Sequence, residues 1–336
     1  MAIVKVFVGL DYHNESVQVC VMNLKGKILV NRRVPNDWQA VTQALGKGRR
    51  VAEAAIEACN GAAHLADELI QRAGWPVQLS HPGYVARLKQ SPDKSDFSDA
   101  QLLADLARVG YIPKVWLAPH DVRELRRLVR FRQQLAAERR NTKLRIGALL
   151  REHRPPSPPG RPWTLAWRLW LDRLELPEQT RWIIQQQLQR LGTANLDIKI
   201  IELRLEKLVE QDRLVQFLLT RPGIGLITAV TLRAEIGRFD RFQSGKQLSR
   251  FCSLSPRNAS SGNRQADAGL IRAGNPQLRA VIIQAAHRLK RYEPRWRALA
   301  ERLRHRGKPG SVIAAAVANR WMRSLYHQVK HWSIAS

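Results

Sequence analysis

Two hydrophobic rhythms divide the chain. Up to about residue 80 the apolar positions form short β-branched runs or alternate with polar ones, the period-two pattern of strands. Ile3 to Leu10 predicts a buried strand ending at Asp11. Ser16 to Met22 sets Val17, Val19 and Val21 on one face. After the turn Asn23-Leu24-Lys25-Gly26, Lys27 to Val34 predicts the third strand of an antiparallel meander. Trp38 to Leu45 predicts a short helix, Val51 to Glu57 a strand, Gly61 to Ala73 a helix and Val77 to Ser80 a strand. Beyond this the period is helical. Ser95 is placed to cap a helix whose buried side is Leu102, Leu103 and Leu106. Asp121 to Arg154 predicts a long helix, Thr164 to Glu175 a short one holding Trp167 and Trp170, and Glu178 to Leu219 one or two more. Within the last, Ile198, Ile201, Leu205 and Leu208 follow the spacing of a coiled-coil seam until Asp212 breaks it. The seam suits a dimer contact or an intramolecular hairpin. Leu226 to Ile236, a helix opened by Leu270 to Pro276 with Leu278, Ile282, Ala285 and Ala286 as core, and Gly310 to Trp332 complete the helical half.

The order strand-strand-strand-helix-strand-helix-strand-helix is that of an RNase-H-like fold, so the fold class expected is α/β followed by α. Pro155-Pro156-Ser157-Pro158-Pro159-Gly160 reads as a stiff, extended linker. The expected domains are 1–154, an α/β domain ending in the long basic helix; 155–163, the linker; 164–219, a helical, coiled-coil region; and 220–336, a mainly helical C-terminal domain.

This topology gives meaning to four carboxylates. Asp11 closes the first strand and Glu57 the fourth, and sites in open α/β sheets form at strand ends. Asp96 and Asp99 are three apart in the first turn of a helix, so they share a face. Singly, each is a turn residue, a solvated strand end or a charged first turn. Gathered at one edge, they repel unless a cation sits among them, and oxygen ligands on rigid elements suit Mg2+ (or Mn2+), as one or two ions.

Charge changes the picture further. Fifty-six Lys and Arg against 28 Asp and Glu leave +28, an excess that points to a polyanion, most simply nucleic acid. An anionic membrane surface competes, but the basic residues are spread along the chain rather than gathered in one amphipathic anchor, and no apolar run approaches the roughly 20 residues of a span. Arg126, Arg127 and Arg130 on the long helix are candidates for phosphate contact, against a solvated helix face. Arg221-Pro222-Gly223-Ile224-Gly225 between two helices resembles a helix-hairpin-helix turn, in which Gly223 and Gly225 would let backbone N–H groups meet a phosphate; a plain helix–helix turn is the alternative. Ser260 and Ser261 precede Gly262 in a polar loop, where turn residues are the usual reading. Cys20, Cys59 and Cys252 lack metal spacing and read as core residues of a reducing compartment. No cleavage-site pattern follows the N-terminal apolar stretch, so a cytoplasmic protein is expected, at the nucleoid when bound to DNA.

As an ordered set, the motifs resemble those of the transposases of the IS-one-ten family of insertion sequences, which are related to the Piv invertases. The matching residues are Gly9-Leu10-Asp11, Ile56-Glu57-Ala58, Lys94-Ser95-Asp96-Phe97-Ser98-Asp99-Ala100, Pro222 to Gly225, Leu254-Ser255-Pro256-Arg257, Ser261-Gly262, and Gly274-Asn275 with Leu278-Arg279. The chain departs from the family at Ser253, where glycine is usual, and at Ile271-Arg272 in place of Ser-Lys. The resemblance implies a RuvC-like domain with an Asp-Glu-Asp-Asp set: Asp11, Glu57, Asp96 and Asp99 holding the metal. It implies a recombinase directed by a noncoding bridge RNA (seekRNA), acting on donor and target DNA. The family's nucleophilic serine falls on Ser261, with Ser260 its nearest rival, and its composite site is shared between subunits of a dimer that pairs into a tetramer. Strand exchange through a phosphoserine needs no ATP, and the chain has no Walker-type loop. Two other readings stay open: a RuvC-type junction nuclease in which water attacks, and a nucleic-acid-binding protein without catalysis.

Overall fold

Strand β1 (Val4–Tyr12) alternates its side chains between two different coverings. Val6, Val8 and Leu10 point into a core shared with Val17, Val19 and Val21, whereas Phe7, Gly9 and Asp11 face the other way. The computed structural model describes residues 3–89, 95–258, 267–271 and 273–335, which form two compact units, Met1–Ala118 and Pro119–Ser336. In the first unit β1 is followed by β2 (Ser16–Asn23), β3 (Ile28–Pro35), α1 (Trp38–Leu45), β4 (Arg49–Glu57), α2 (Ala62–Ala73), β5 (Val77–Ser80), α3 (Pro82–Leu88), α4 (Asp96–Arg108) and β6 (Lys114–Val115). The six-stranded sheet has the order β3-β2-β1-β4-β5-β6. β1, β2 and β3 are antiparallel, β4 runs parallel to β1 and β5 to β4, and β6 returns antiparallel. A mixed α/β domain of this order is consistent with the RNase-H-like expectation. Only α3 and the short β6 lie outside the expected elements.

Helices α1 and α2 cover the Val6 face through Val41, Ala44, Leu65 and Leu69. Helix α4 covers the Gly9 face with small residues, Ala100 and Ala104 packing with Cys20 and Met22, while Leu103, Leu106 and Ala107 join Ala55 and Val85. The reason for alanines is steric. A Cβ built on Gly9 would stand 1.9 Å from the Ala100 carbonyl oxygen and 2.4 Å from the Ala104 nitrogen. Helix and strand backbones thus touch at that point.

The second unit is mainly helical: α5 (His120–His153), α6 (Leu165–Arg173), α7 (Glu178–Leu208), α8 (Arg213–Leu219), α9 (Leu226–Ile236), α10 (Gly245–Phe251), the hairpin β7 (Pro256–Asn258) and β8 (Asp267–Leu270), α11 (Pro276–Tyr292), α12 (Pro294–His305) and α13 (Gly310–Ala335). Here the structure redraws the expected boundaries. Helix α5 packs with this unit rather than the first, because Leu125, Val129 and Leu135 share a core with Ile198, Ile201 and Leu205 of α7. The seam of α7 is therefore an intramolecular hairpin, and Leu208 is left 56% exposed. The Pro-rich stretch does not separate domains: on either side of it Ile146 and Leu150 pack with Trp167, Leu171 and Ile184. Asp212 does break the helix, its carboxylate accepting from the Val215 N–H at the start of α8. Asn275, not Leu270, opens α11, capping Gln277 and Leu278, while Leu270 belongs to the hairpin. Ser253, at the position where the family favours glycine, is buried with φ 57, the left-handed conformation that glycine adopts without cost. Its hydroxyl has no hydrogen-bond partner among the described residues.

Candidate active site

The period-two alternation of β1 carries Asp11 onto the face covered by α4, and the register Leu10 opposite Ile56 makes Glu57 its neighbour on β4. Ser95 caps α4 by accepting from the Ser98 N–H and so presents Asp96 and Asp99 in the first turn. A polar ladder fixes this turn over the sheet. Buried Gln18 donates to Asn31 (2.7 Å), and Asn31 donates to the Phe97 carbonyl (3.1 Å). Arg33 holds the Asp96 carboxylate at 2.9 Å, and Lys89 holds Asp99 at 2.7 Å.

The tightest cluster contains a residue the sequence reading missed. His13 Nε2 lies 3.2 Å from Asp11 Oδ2 and 3.3 Å from Asp96 Oδ2, and one ligand atom from each of the three lies within 4.8 Å of the others. The only signal in the sequence is its place two residues after Asp11, just past the end of β1 at Tyr12. Burial pushes the Asp11 carboxyl above its ordinary range; the negative charges of Asp99 and Asp96 push the same way, and His13 opposes them. Glu57 and Asp11 together raise the thiol of Cys59, after burial, which places both acids near that sulfur. Cys59 itself is exposed, in the turn after β4, so the expectation of three core cysteines holds only for Cys20 and Cys252.

Carboxylate oxygens with one imidazole nitrogen, each within 4.8 Å of the others, form a donor set for a hard or borderline divalent ion. The residues thus fit a divalent metal, with Asp11, Asp96 and His13 as the core and Asp99 and Glu57 beside them.

In the second unit, two of the three candidate arginines are engaged internally. Arg130 grips Glu235 through two hydrogen bonds of 2.8 and 3.0 Å, and Arg126 donates to the Ala234 carbonyl at 2.9 Å. Arg127 is exposed and pairs with Glu124 on its own helix. Glu235 is buried to 5% exposure, and Arg130→Ala takes away both of its close hydrogen bonds and leaves only Arg126, 3.8 Å from its Oε2, so about 2 kcal/mol of stability is expected to be lost. Urea unfolding of the variant checks this; an unchanged midpoint would return Arg130 to a purely surface role. Gly223 (φ 79) turns between α8 and α9, and a Cβ there would meet Leu289 Cδ2 at 2.7 Å, whereas Gly225 has open space. Close packing thus accounts for the first glycine. Ser260 and Ser261 lie outside the described residues; the strands that flank them, β7 and β8, pair antiparallel.

No helix among the described residues is long and apolar enough to cross a membrane. Two family sequence models match the chain. One, for DEDD transposases of IS110 type, described as a transposase, spans residues 8–155; the other, described as the transposase IS116/IS110/IS902 family, spans 215–301. The first span contains Asp11, Glu57, Asp96 and Asp99, and the second contains Gly223, Gly225 and Ser261. Among similar proteins are the transposase for insertion sequence element IS1111A of Coxiella burnetii, 27% identical over 84% of this chain and 78% of that one, and the transposase for insertion sequence element IS1328 of Yersinia enterocolitica, 27% identical over 94% of each. A probable family 20 transposase of Pseudomonas aeruginosa is 29% identical over 81% of this chain and 82% of its own length.

Proposed function

The chain belongs to the IS116/IS110/IS902 family of transposases, enzymes that cleave and rejoin DNA, and we propose that it excises and inserts its own element by RNA-guided, metal-assisted strand exchange through Ser261. The observation that carries the reading is the convergence of Asp11 and Asp96 with His13 at the C-terminal end of β1, with Asp99 close enough for its charge to act on Asp11. Asp11, Glu57, Asp96 and Asp99 would hold a divalent ion, with His13 as an added ligand or as the group that steadies Asp11. When bound, Mg2+ or Mn2+ supplies positive charge to the scissile phosphate and the leaving oxygen.

The serine step balances without an added energy source. Ser261 Oγ forms a bond to phosphorus while the bond from phosphorus to the adjoining sugar oxygen breaks. The serine proton goes to a base, and the departing oxygen ends as a hydroxyl. Attack by a second strand's hydroxyl reverses the step and frees the serine. Base pairing with a guide RNA would supply sequence choice, leaving the protein to read backbone and shape, which suits its diffuse charge of +28. Acids from one subunit and the serine from another would complete the site in a dimer that pairs into a tetramer.

Ser261→Ala is expected to keep DNA and RNA binding and to eliminate both the covalent protein–DNA adduct and recombination. Ser260→Ala should be milder. Denaturant-quenched reactions run on a gel reveal the adduct. An adduct that persists in Ser261→Ala but vanishes in Ser260→Ala moves the nucleophile by one residue. Metal-dependent cleavage with no adduct in the unaltered protein selects the water-attacking nuclease instead.

A further inference from the structure

The strongest unassigned positive feature lies between α12 and α13. A cleft of about 630 Å³ there is lined by Arg295, Arg302, Arg320 and Arg323, with Ser324 and His327. Arg295, Arg302 and Arg320 are exposed, and among the described residues none of the four arginines pairs with a carboxylate. Their recorded contacts are weak or neutral: Arg295 lies over the Trp296 ring and reaches Ser324 Oγ at 3.4 Å, and Arg320 reaches the carbonyl of Ala316 at 3.3 Å. This contrasts with Arg130, Arg132 and Arg233, each spent on an acid. Four guanidiniums converging without counter-charge repel one another, and an anion with several acceptor oxygens relieves that repulsion.

A second concavity says where the anion leads. Arg320 and Arg323 also line an adjoining pocket of about 790 Å³ whose floor includes Pro256 and Leu270. Those two residues are the register partners at the base of the β7–β8 hairpin, the element whose intervening residues include Ser261. The base is rigid: Asn319, on the same helix as both arginines, donates to Ser249 Oγ at 2.8 Å and to the Leu254 carbonyl at 3.0 Å. One pair of arginines is thus common to the cationic cleft and to the foot of the serine hairpin.

We infer that the α12–α13 cleft binds the sugar–phosphate backbone of the DNA strand whose phosphodiester is presented to the β7–β8 hairpin. The inference rests on the serine reading for the identity of the strand, but the binding it asserts is separate from the metal site and needs no metal. Its specificity is for backbone rather than base sequence, since the lining is dominated by guanidiniums, which meet phosphate, and Trp296 is buried.

The test uses the full-length chain in EDTA with mixed-sequence single-stranded DNA, duplex DNA and RNA of equal length. The variant Arg295→Ser, Arg302→Ser, Arg320→Ser is compared with Arg190→Ser, Arg204→Ser, Lys207→Ser, which removes the same three charges from exposed positions of α7. The cleft variant is expected to lose about tenfold or more in affinity for single-stranded DNA near 0.1 M salt, and its slope of log affinity against log salt to fall by about two to three. The α7 variant should change that slope by less than about one. Equal losses in the two variants would reduce the cleft to net charge and overturn the assignment, as would a loss confined to RNA or an unchanged salt slope. In the Ser261 adduct assay the cleft variant should form less adduct at limiting DNA and recover at high DNA. Unchanged DNA binding with a normal adduct overturns the cleft alone; a missing adduct in the unaltered protein overturns the serine reading alone.

Discussion

Asp11→Asn is expected to lower transposition by at least about a thousandfold, and to make the metal-free protein more stable at neutral pH rather than less. Both follow from the same burial. In the folded protein the carboxyl of Asp11 titrates above its ordinary value, chiefly because it is buried and also because Asp99 and Asp96 stand near. A carboxyl raised on folding contributes stability that is complete below the unfolded pKa and lost as pH rises through the folded one. At neutral pH the native protein therefore carries a cost that asparagine, uncharged and still able to accept from His13, does not. The gap in Tm between variant and native protein should close as pH falls toward 4 and open as it rises, in buffers containing EDTA. Adding Mg2+ or Mn2+ should raise the Tm of the native protein only. A variant that transposes normally, or one less stable than the native protein at pH 7, would remove Asp11 from the metal site.

Gly9→Ala is expected to be the most damaging single-methyl change in the first unit. The added carbon would meet main-chain atoms of α4 at 1.9 and 2.4 Å, and main chain cannot rotate aside as a side chain can. Helix and strand must part, with a loss of about 3 kcal/mol or more, and Asp96 and Asp99 move with the helix. Activity should therefore fall even at temperatures where the variant remains folded, and the metal-dependent rise in Tm should vanish with it. Gly192→Ala in α7, where nothing lies within 4 Å of the new carbon, is the contrast: it should stabilise by about 0.5–1 kcal/mol. Equal stabilities for the two variants would mean that α4 does not rest on β1 as described.

What the sequence disclosed and what it hid follow one rule. Features set by neighbours along the chain were legible: the buried run of β1, the Ser95 cap, the break at Asp212, and the ending of two strands on Asp11 and Glu57. These rest on backbone period and capping, which need no knowledge of the partner. His13 was hidden because it lies one residue past the end of β1, beyond the apolar run, where only the fold shows which way it turns. Features set by distant partners were not legible. The apolar stripe of α5 shows that the helix is covered, not that α7 and α9 cover it. The charge count showed too few acids for the arginines, yet Glu235 stands 105 residues from Arg130 and meets it in the fold. For the same reason Arg126 and Arg130, chosen for phosphate, belong first to the core, while Arg302 and Arg320 drew no notice in sequence because nothing local sets them apart.

The Arg130–Glu235 pair also fixes an order of events during synthesis. At about 5–20 residues per second, the 105 residues between the two take roughly 5–20 s to make. From the end of α5 at His153 the remaining 82 residues take roughly 4–16 s, and in that time the α9 surface that Leu125 and Val129 bury against is still incomplete. The sheet unit ends at Ala118, so its whole sequence precedes α5. The strands and helix that carry Asp11, Glu57, Asp96 and Asp99 are thus translated before the β7–β8 hairpin, and the apolar stripe of α5 is the surface left for chaperones to cover in the meantime.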